Sequence, residues 1–411
     1  MNLSLTAILL QILLLCNNVQ GKYIYVASYS GNISVLSLTY DYFASTGSSA
    51  YAEDGYFAGF APQKKYNLSV VDTFKTPATY PAWLTLNKHN NLLYLVDGVT
   101  TGNGTLTAYR TSSKNGTGPP IQLDCVECLL DGASAGFYAN GKALAVVHYT
   151  RSALQTYDIT AANGTMKPLQ TFTYTMSKEG PAGARQAAPH VHEARTDPLE
   201  QYVLAIDLGA DKVRVYTIDD HTLLLEERAA LNATPGSGPR HGVGCGITAY
   251  RVKYLPNRGG LQFTELPNGT YSSLEPGVSK PDTGGKGITA ELRLSPDGDF
   301  LIVSNRRDAR FNGTTAQYPP SGTSDSISTF RIRQHLGGKL DFVQAAPAGG
   351  SLARAYDLNS AGNLAAVGIQ MGSRVTILER DLGSGLFKEQ VAEVEVEGEI
   401  WGVLWDYKAN D

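Results

Sequence analysis

The sequence predicts an all-β fold, a seven-bladed β-propeller, on three observations. Alternating runs rich in Val, Ile, Tyr and Thr fill the chain while helical periodicity is scarce. One strand–turn–strand unit recurs roughly every 50 residues, the spacing of propeller blades. Two incomplete units stand at the two ends and complement each other.

Taken in order, residues 1–21 read as a processing signal. Leu3 to Cys16 is an uncharged, largely apolar run of secretory-signal length, short for a bilayer span. Val19-Gln20-Gly21 places small residues for cleavage after Gly21. Residues 22–411 then read as a single propeller domain. "KYIYVASYSGNISVLSL" from Lys22 supplies the later strands of a blade, and "IWGVLWD" from Ile400 supplies its first strand. Joining N-terminal strands and a C-terminal strand in one blade closes the ring and removes the exposed edges of a linear array. Six further copies start at Pro81, Ser134, Pro189, Pro239, Thr289 and Leu352. Residues 41–75, 265–286 and 310–324, rich in Gly, Ser, Thr, Tyr and Pro, are expected to be loop insertions.

Composition narrows the partners. With 34 basic against 38 acidic residues, a formal charge of −4, there is no basic field for nucleic acid and no polybasic patch for a membrane. No later run is apolar enough to span a bilayer. Asn-X-Ser/Thr sequons occur at Asn32, Asn67, Asn103, Asn115, Asn163, Asn232, Asn268 and Asn312, which fits passage through a glycosylating secretory pathway. Of Cys125, Cys128 and Cys245, at least one thiol must be free or intermolecular; one disulfide at most is expected.

The residue entering each first strand faces the same central channel. Counting five back from the turn positions Asp406, Asn87, Asn140, Asp197, Ser295 and Asn359 gives Trp401, Ala82, Ala135, His192, Ala290 and Arg354. Arg240 of "PRH" takes the place in the blade from Pro239, Glu291 follows Ala290, and Arg306 ends the next strand. A channel filler would be apolar, whereas an arc of Arg240, Arg306 and Arg354 with His192 suits a carboxylate or phosphate gripped through paired hydrogen bonds. An ion-pair network knitting the blades together is the bland alternative. His190 would share the face of His192 on a regular strand. A metal role for that pair needs a third ligand, and His148 and His241 sit on other blades at non-equivalent positions, so no metal is expected.

These residues carry a resemblance. "PHVHEARTDP", "GPRH", "AELRLSPDGDFLIVSNR" and "SLARAYDLNSAG" resemble the seven-bladed propeller lactonases, a family that includes propeller-type 6-phosphogluconolactonases and fungal carboxy-cis,cis-muconate cyclases. The resemblance covers nearly the whole mature chain. It implies a site in which the cyclase His falls on His192, its arginines on Arg240 and Arg306, and the lactonase Arg on Arg354. The cyclase Glu falls near Tyr254, where no acid stands; Glu291 belongs to the wider lactonase pattern. The catalytic set is therefore read as His192, Arg240, Arg306 and Glu291, with Arg354, His190, His241, Tyr254 and Gln370 as substrate contacts. A tyrosine at the Glu position would act as an acid only with a lowered pKa, for which nearby arginine is the expected cause.

Two functions follow, beside the blander reading of a degenerate propeller with no ligand of its own. One is a secreted lactonase or lactonising cyclase for a small carboxylate or lactone, needing no cofactor. The other is a non-catalytic secreted or cell-surface propeller that binds a glycan, matrix or host protein. The leader and sequons point to a eukaryote, and the cyclase resemblance implies a fungus.

Overall fold

The computed structural model describes residues 22–43, 63–111, 119–240, 246–278, 289–312 and 323–406. Their strands form six four-stranded antiparallel sheets, a two-stranded sheet and one short strand pair. Four sheets run in plain sequence order: from Pro81–Asn87 to Ile121–Cys128, from Gly132–Tyr138 to Lys167–Thr173, from Val191–Thr196 to Leu225–Asn232, and from Ala353–Leu358 to Phe387–Glu395. A fifth runs from Thr289–Leu294 to Lys339–Pro347. The sixth is the closing blade, in which Ile400–Trp405 pairs with Lys22–Ser28, followed by Asn32–Phe43 and Gln63–Lys75. First strands adjoin around the channel, Ile400–Trp405 lying between Ala353–Leu358 and Pro81–Asn87.

Alternation along each strand sends apolar side chains into the gaps between sheets. Seven buried apolar clusters result, one at each junction of neighbouring blades. Closure rests on such a junction: Ile24, Val26, Val403 and Trp405 pack with Ala366 and Ile377 of the preceding blade. Trp405 adds polar ties, its main-chain N–H donating to Asp357 Oδ2 at 3.0 Å and its indole N–H to the Asp357 carbonyl at 2.9 Å.

Two expectations need correction. The unit from Pro239 was read as a full blade, yet the described residues hold only Gly246–Tyr254 paired with Leu261–Ser272. The clusters on its two sides contain five and three buried residues, against eleven or more at every other junction. Among the described residues, then, the outer strands of this blade are present without inner ones. The stretch 41–75 is also not one loop, because Gln63–Lys75 forms the outermost strand of the closing blade along the whole of Asn32–Phe43. Its Tyr66 and Leu68 pack inward while charged neighbours face solvent, a weak alternation that its polar composition hides. In the same way Leu261–Ser272 runs into the stretch assigned to the loop at 265–286.

Among the described residues no helix is long and apolar enough to cross a membrane. Cys125 is exposed and Cys128 buried, both as free thiols, on opposite faces of one edge strand. Of the sequon asparagines, Asn67, Asn103, Asn163, Asn232 and Asn268 are exposed, and Asn32 is half-buried with its amide donating to Glu397. Asn115, His241 and Cys245 lie outside the described residues, and of Asn312 only the backbone is described.

Candidate functional site

Each first strand breaks its ladder at the same level, near the start of the strand. The interrupted pairing singles out Ala82, Ala133, His192 and Arg354, a shared break at Ala290 and Glu291, and the step opposite Trp401. A bulge frees one residue from the ladder and re-aims its side chain. The bulges therefore turn one residue per blade into the channel mouth. Five of the positions counted from the turns coincide with this ring. Ala135 does not: its place belongs to Ala133, because the strand Gly132–Tyr138 ends in a left-handed Ala139, Asn140 and Gly141 turn that puts Asn140 two residues too far on. Ala135 packs in the core between blades instead.

The mouth gathers the predicted cations. Arg240 Nη1 donates to the Ala290 carbonyl at 2.6 Å, and burial pushes its pKa down to about 10 against the pull of Glu291 and Glu193. Burial, then the guanidiniums of Arg240, Arg307 and Arg185, push Arg306 down to about 9, and its Nε is buried without a partner among the described residues. Burial, then Arg240 and Arg306, hold Arg354 well below its ordinary value. Arginine keeps its proton at neutral pH even so; the three side chains are half-buried, and the depression marks how closely like charges are packed at the mouth. Arg354 Cζ lies over Trp401, 3.3 Å from the ring centroid; the indole is stacked on Tyr29 at 4.0 Å, and Tyr29 packs on Tyr80 at 4.8 Å. The arc thus continues into an aromatic column.

His192 is buried and meets Tyr149 edge-on at 5.9 Å. His190 stacks on the same ring at 4.3 Å, and its Nδ1 is 3.1 Å from the Tyr149 carbonyl. No group of three or more metal-ligating side chains forms among the described residues. Gln370 lies on the rim, donating to Glu399 Oε2 at 2.9 Å.

Two mouth residues escaped the sequence reading. Arg185, in the short turn Gly183–Gln186, acts on Tyr149, Arg240 and Arg306. Asp131, directly before the strand Gly132–Tyr138, adopts a left-handed backbone with φ 53°. Burial raises its pKa, while Thr150, His190 and Arg354 oppose the rise. Its position just ahead of a first strand was the available signal.

Glu291 is one layer down. Its Oε1 is 3.8 Å from Arg195 and 3.7 Å from Arg293; Arg293 also stands 3.5 Å from Asp357, and Arg195 pairs with Glu193. The blade-to-blade ion-pair network exists, then, below the arginine arc and not in place of it. Tyr254 is not at the mouth. Its hydroxyl donates to Asp197 Oδ2 at 2.6 Å, at the turn closing the far end of the strand that His192 opens. Burial, then Asp197, raise its pKa, the reverse of activation by arginine, so Tyr254 is no substrate contact at this site.

Known proteins share the sequence pattern and the fold. Residues 56–404 match the family described as Lactonase, 7-bladed beta-propeller. A "Probable 6-phosphogluconolactonase" of Arthroderma benhamiae is 26% identical over 82% of this chain and 83% of its own length. A "6-phosphogluconolactonase" of Formosa agariphila is 26% identical over 77% and 86%. For the fold, a putative 6-phosphogluconolactonase of Bacteroides fragilis superimposes with a TM-score of 0.72 at 18% identity, covering 94% of this chain and 98% of that one. The periplasmic gluconolactonase of Pseudomonas aeruginosa does so with 0.71 at 22% identity, covering 94% and 99%. A ring of bulged channel residues on a propeller and a family match over most of the chain agree: this protein belongs to the seven-bladed β-propeller lactonase family.

Proposed function

We propose that the protein hydrolyses a small anionic lactone at the channel mouth. One observation carries the reading: among the described residues, Arg240, Arg306 and Arg354 have no carboxylate within ion-pair distance, although burial and mutual repulsion disfavour all three charges. Such a cluster is stabilised by an anion from outside.

In the proposed reaction water adds to the lactone carbonyl carbon, and His192 takes its proton. Arg240 and Arg306 hold the oxyanion that forms. The ring C–O bond then breaks, and Asp131 gives a proton to the departing oxygen. The product is a hydroxy acid. Arg354 holds a carboxylate or phosphate elsewhere on the substrate. The names of the curated relatives make a phosphorylated sugar lactone the first substrate to try, with gluconolactone and carboxymuconate beside it.

Secretion belongs to the same proposal, supported by the leader-like segment and by the exposed sequon asparagines. Under it the purified native chain begins at Lys22 and loses mass on removal of N-glycans. A second reading, an anion-binding propeller without turnover, is favoured by the engagement of Glu291 with Arg195 and Arg293. Lactone hydrolysis by the wild type, lost in a folded His192→Ala variant, supports the enzyme. Thermal stabilisation by the same anions with no hydrolysis selects the binder, and wild-type turnover in His192→Ala ends the mechanism.

A further inference from the structure

The short two-stranded sheet leaves a space inside the ring. A cavity of about 790 Å³ lies at the end of the channel away from His192, bounded by turn residues that follow first strands, Lys88, Pro296 and Ser360 among them. Much of its wall is apolar. Leu204 and Ile206 come from the second strand of one flanking blade, Leu292 and Leu294 from the first strand of the other. The second strands of four other blades are buried at every position, whereas in Tyr202–Asp207 the two residues left partly open are Leu204 and Ile206. Leu294 is 59% exposed. The inner strands that would cover all four are absent from the described sheet.

Charged side chains stand among these apolar ones, since Glu193 and Arg195 pair across the ladder with Ile206 and Leu204 and share their face. The Arg195 side chain is 46% exposed and that of Arg293 25%, whereas Glu193, Glu291 and Asp357 are 4%, 4% and 2% exposed. Glu193 and Asp357 line the cavity too but are almost wholly buried, and Arg293 is held by the Tyr356 carbonyl at Nε and by Glu291 and Asp357 at its other nitrogens, so Arg195 is the guanidinium most open to the space. Apolar side chains from two blades around the partly open Arg195 guanidinium, in a volume suited to a small ligand, fit a molecule with a hydrocarbon body and an anionic head.

We propose that the protein binds a small amphipathic carboxylate, an aliphatic or aromatic acid, in this cavity, as a second site separate from the channel mouth. Titration calorimetry on the full chain with hexanoate, heptanoate and octanoate tests it, with octylammonium and octanol as controls. Affinity is expected to rise about threefold to fourfold per added methylene until the wall is covered. The carboxylates are expected to bind at least tenfold tighter than octylammonium. Leu294→Asp, at an exposed position that leaves the core alone, is expected to weaken octanoate at least tenfold, and Arg195→Lys to weaken it less. His192→Ala should leave octanoate binding unchanged. No binding at any chain length, equal binding of octylammonium, or loss of binding in His192→Ala would overturn the proposal. Because the mouth and the cavity are probed by different variants, failure here leaves the lactonase reading standing, and the reverse holds too.

Discussion

The Arg354 guanidinium lies 3.3 Å over the ring of Trp401, which is backed in turn by Tyr29. A cation held on an aromatic face keeps its edge donors free for an anion. Trp401→Leu removes the platform but not the charge. Anion affinity should fall about tenfold, while Trp401→Phe should keep most of it. Indole emission should shift on anion binding in the wild type and not in Trp401→Leu.

Arg306 should trade stability for binding. Its folded-state pKa is depressed to about 9, so its charge opposes folding at neutral pH. Arg306→Gln should therefore raise the unliganded Tm by about 2 °C. It should also abolish most of the Tm gain that phosphate gives the wild type. A lower unliganded Tm would refute the repulsion argument.

Asp131 is set against His190 and Arg354 with a raised pKa, as suits a proton donor. Asp131→Asn should cut kcat about 100-fold or more while anion affinity holds or improves, since a negative charge leaves the mouth. Single-turnover rates and thermal shifts on one preparation separate the two effects. Unchanged kcat would remove Asp131 from the mechanism.

His148 makes the fold acid-sensitive. It is fully buried, and burial lowers its pKa to about 4 although Nδ1 lies 3.2 Å from the Leu130 carbonyl. The unfolded chain takes up the proton first, near the ordinary value of about 6.5. Stability is therefore lost as pH falls from about 6.5 towards 4, by on the order of 2 kcal/mol at pH 5. Urea unfolding at pH 7 and pH 5 should show this loss in the wild type and a smaller one in His148→Gln.

Much of this was legible because it is local or repeated. Alternation marked the strands, and the turn spacing placed Trp401, Ala82, His192, Ala290 and Arg354 at the mouth. What failed was non-local. "ITAYRVKY" alternates alike as an inner or an outer strand, and only its neighbours show which it is. Tyr254 was placed by position in a motif whose inner strands the described sheet lacks, so it fell at the wrong end of the ring. Glu291 was read as catalytic; its pairing with Arg293 is local, two residues on along the same strand, whereas its pairing with Arg195 of another blade was not visible in the sequence.

The strand Ile400–Trp405 is the last of the described strands to leave the ribosome, and it pairs with the first. It also carries Trp401, the platform of Arg354. Until it docks, a nascent chain has Lys22–Ser28 as an open edge and the apolar flank of Ile24 and Val26 uncovered. Under the proposed function, competence to hold an anion is thus gained only once this strand has docked. An anion added during refolding should draw the population towards closed rings, and chains cut short before residue 400 should gain nothing from it.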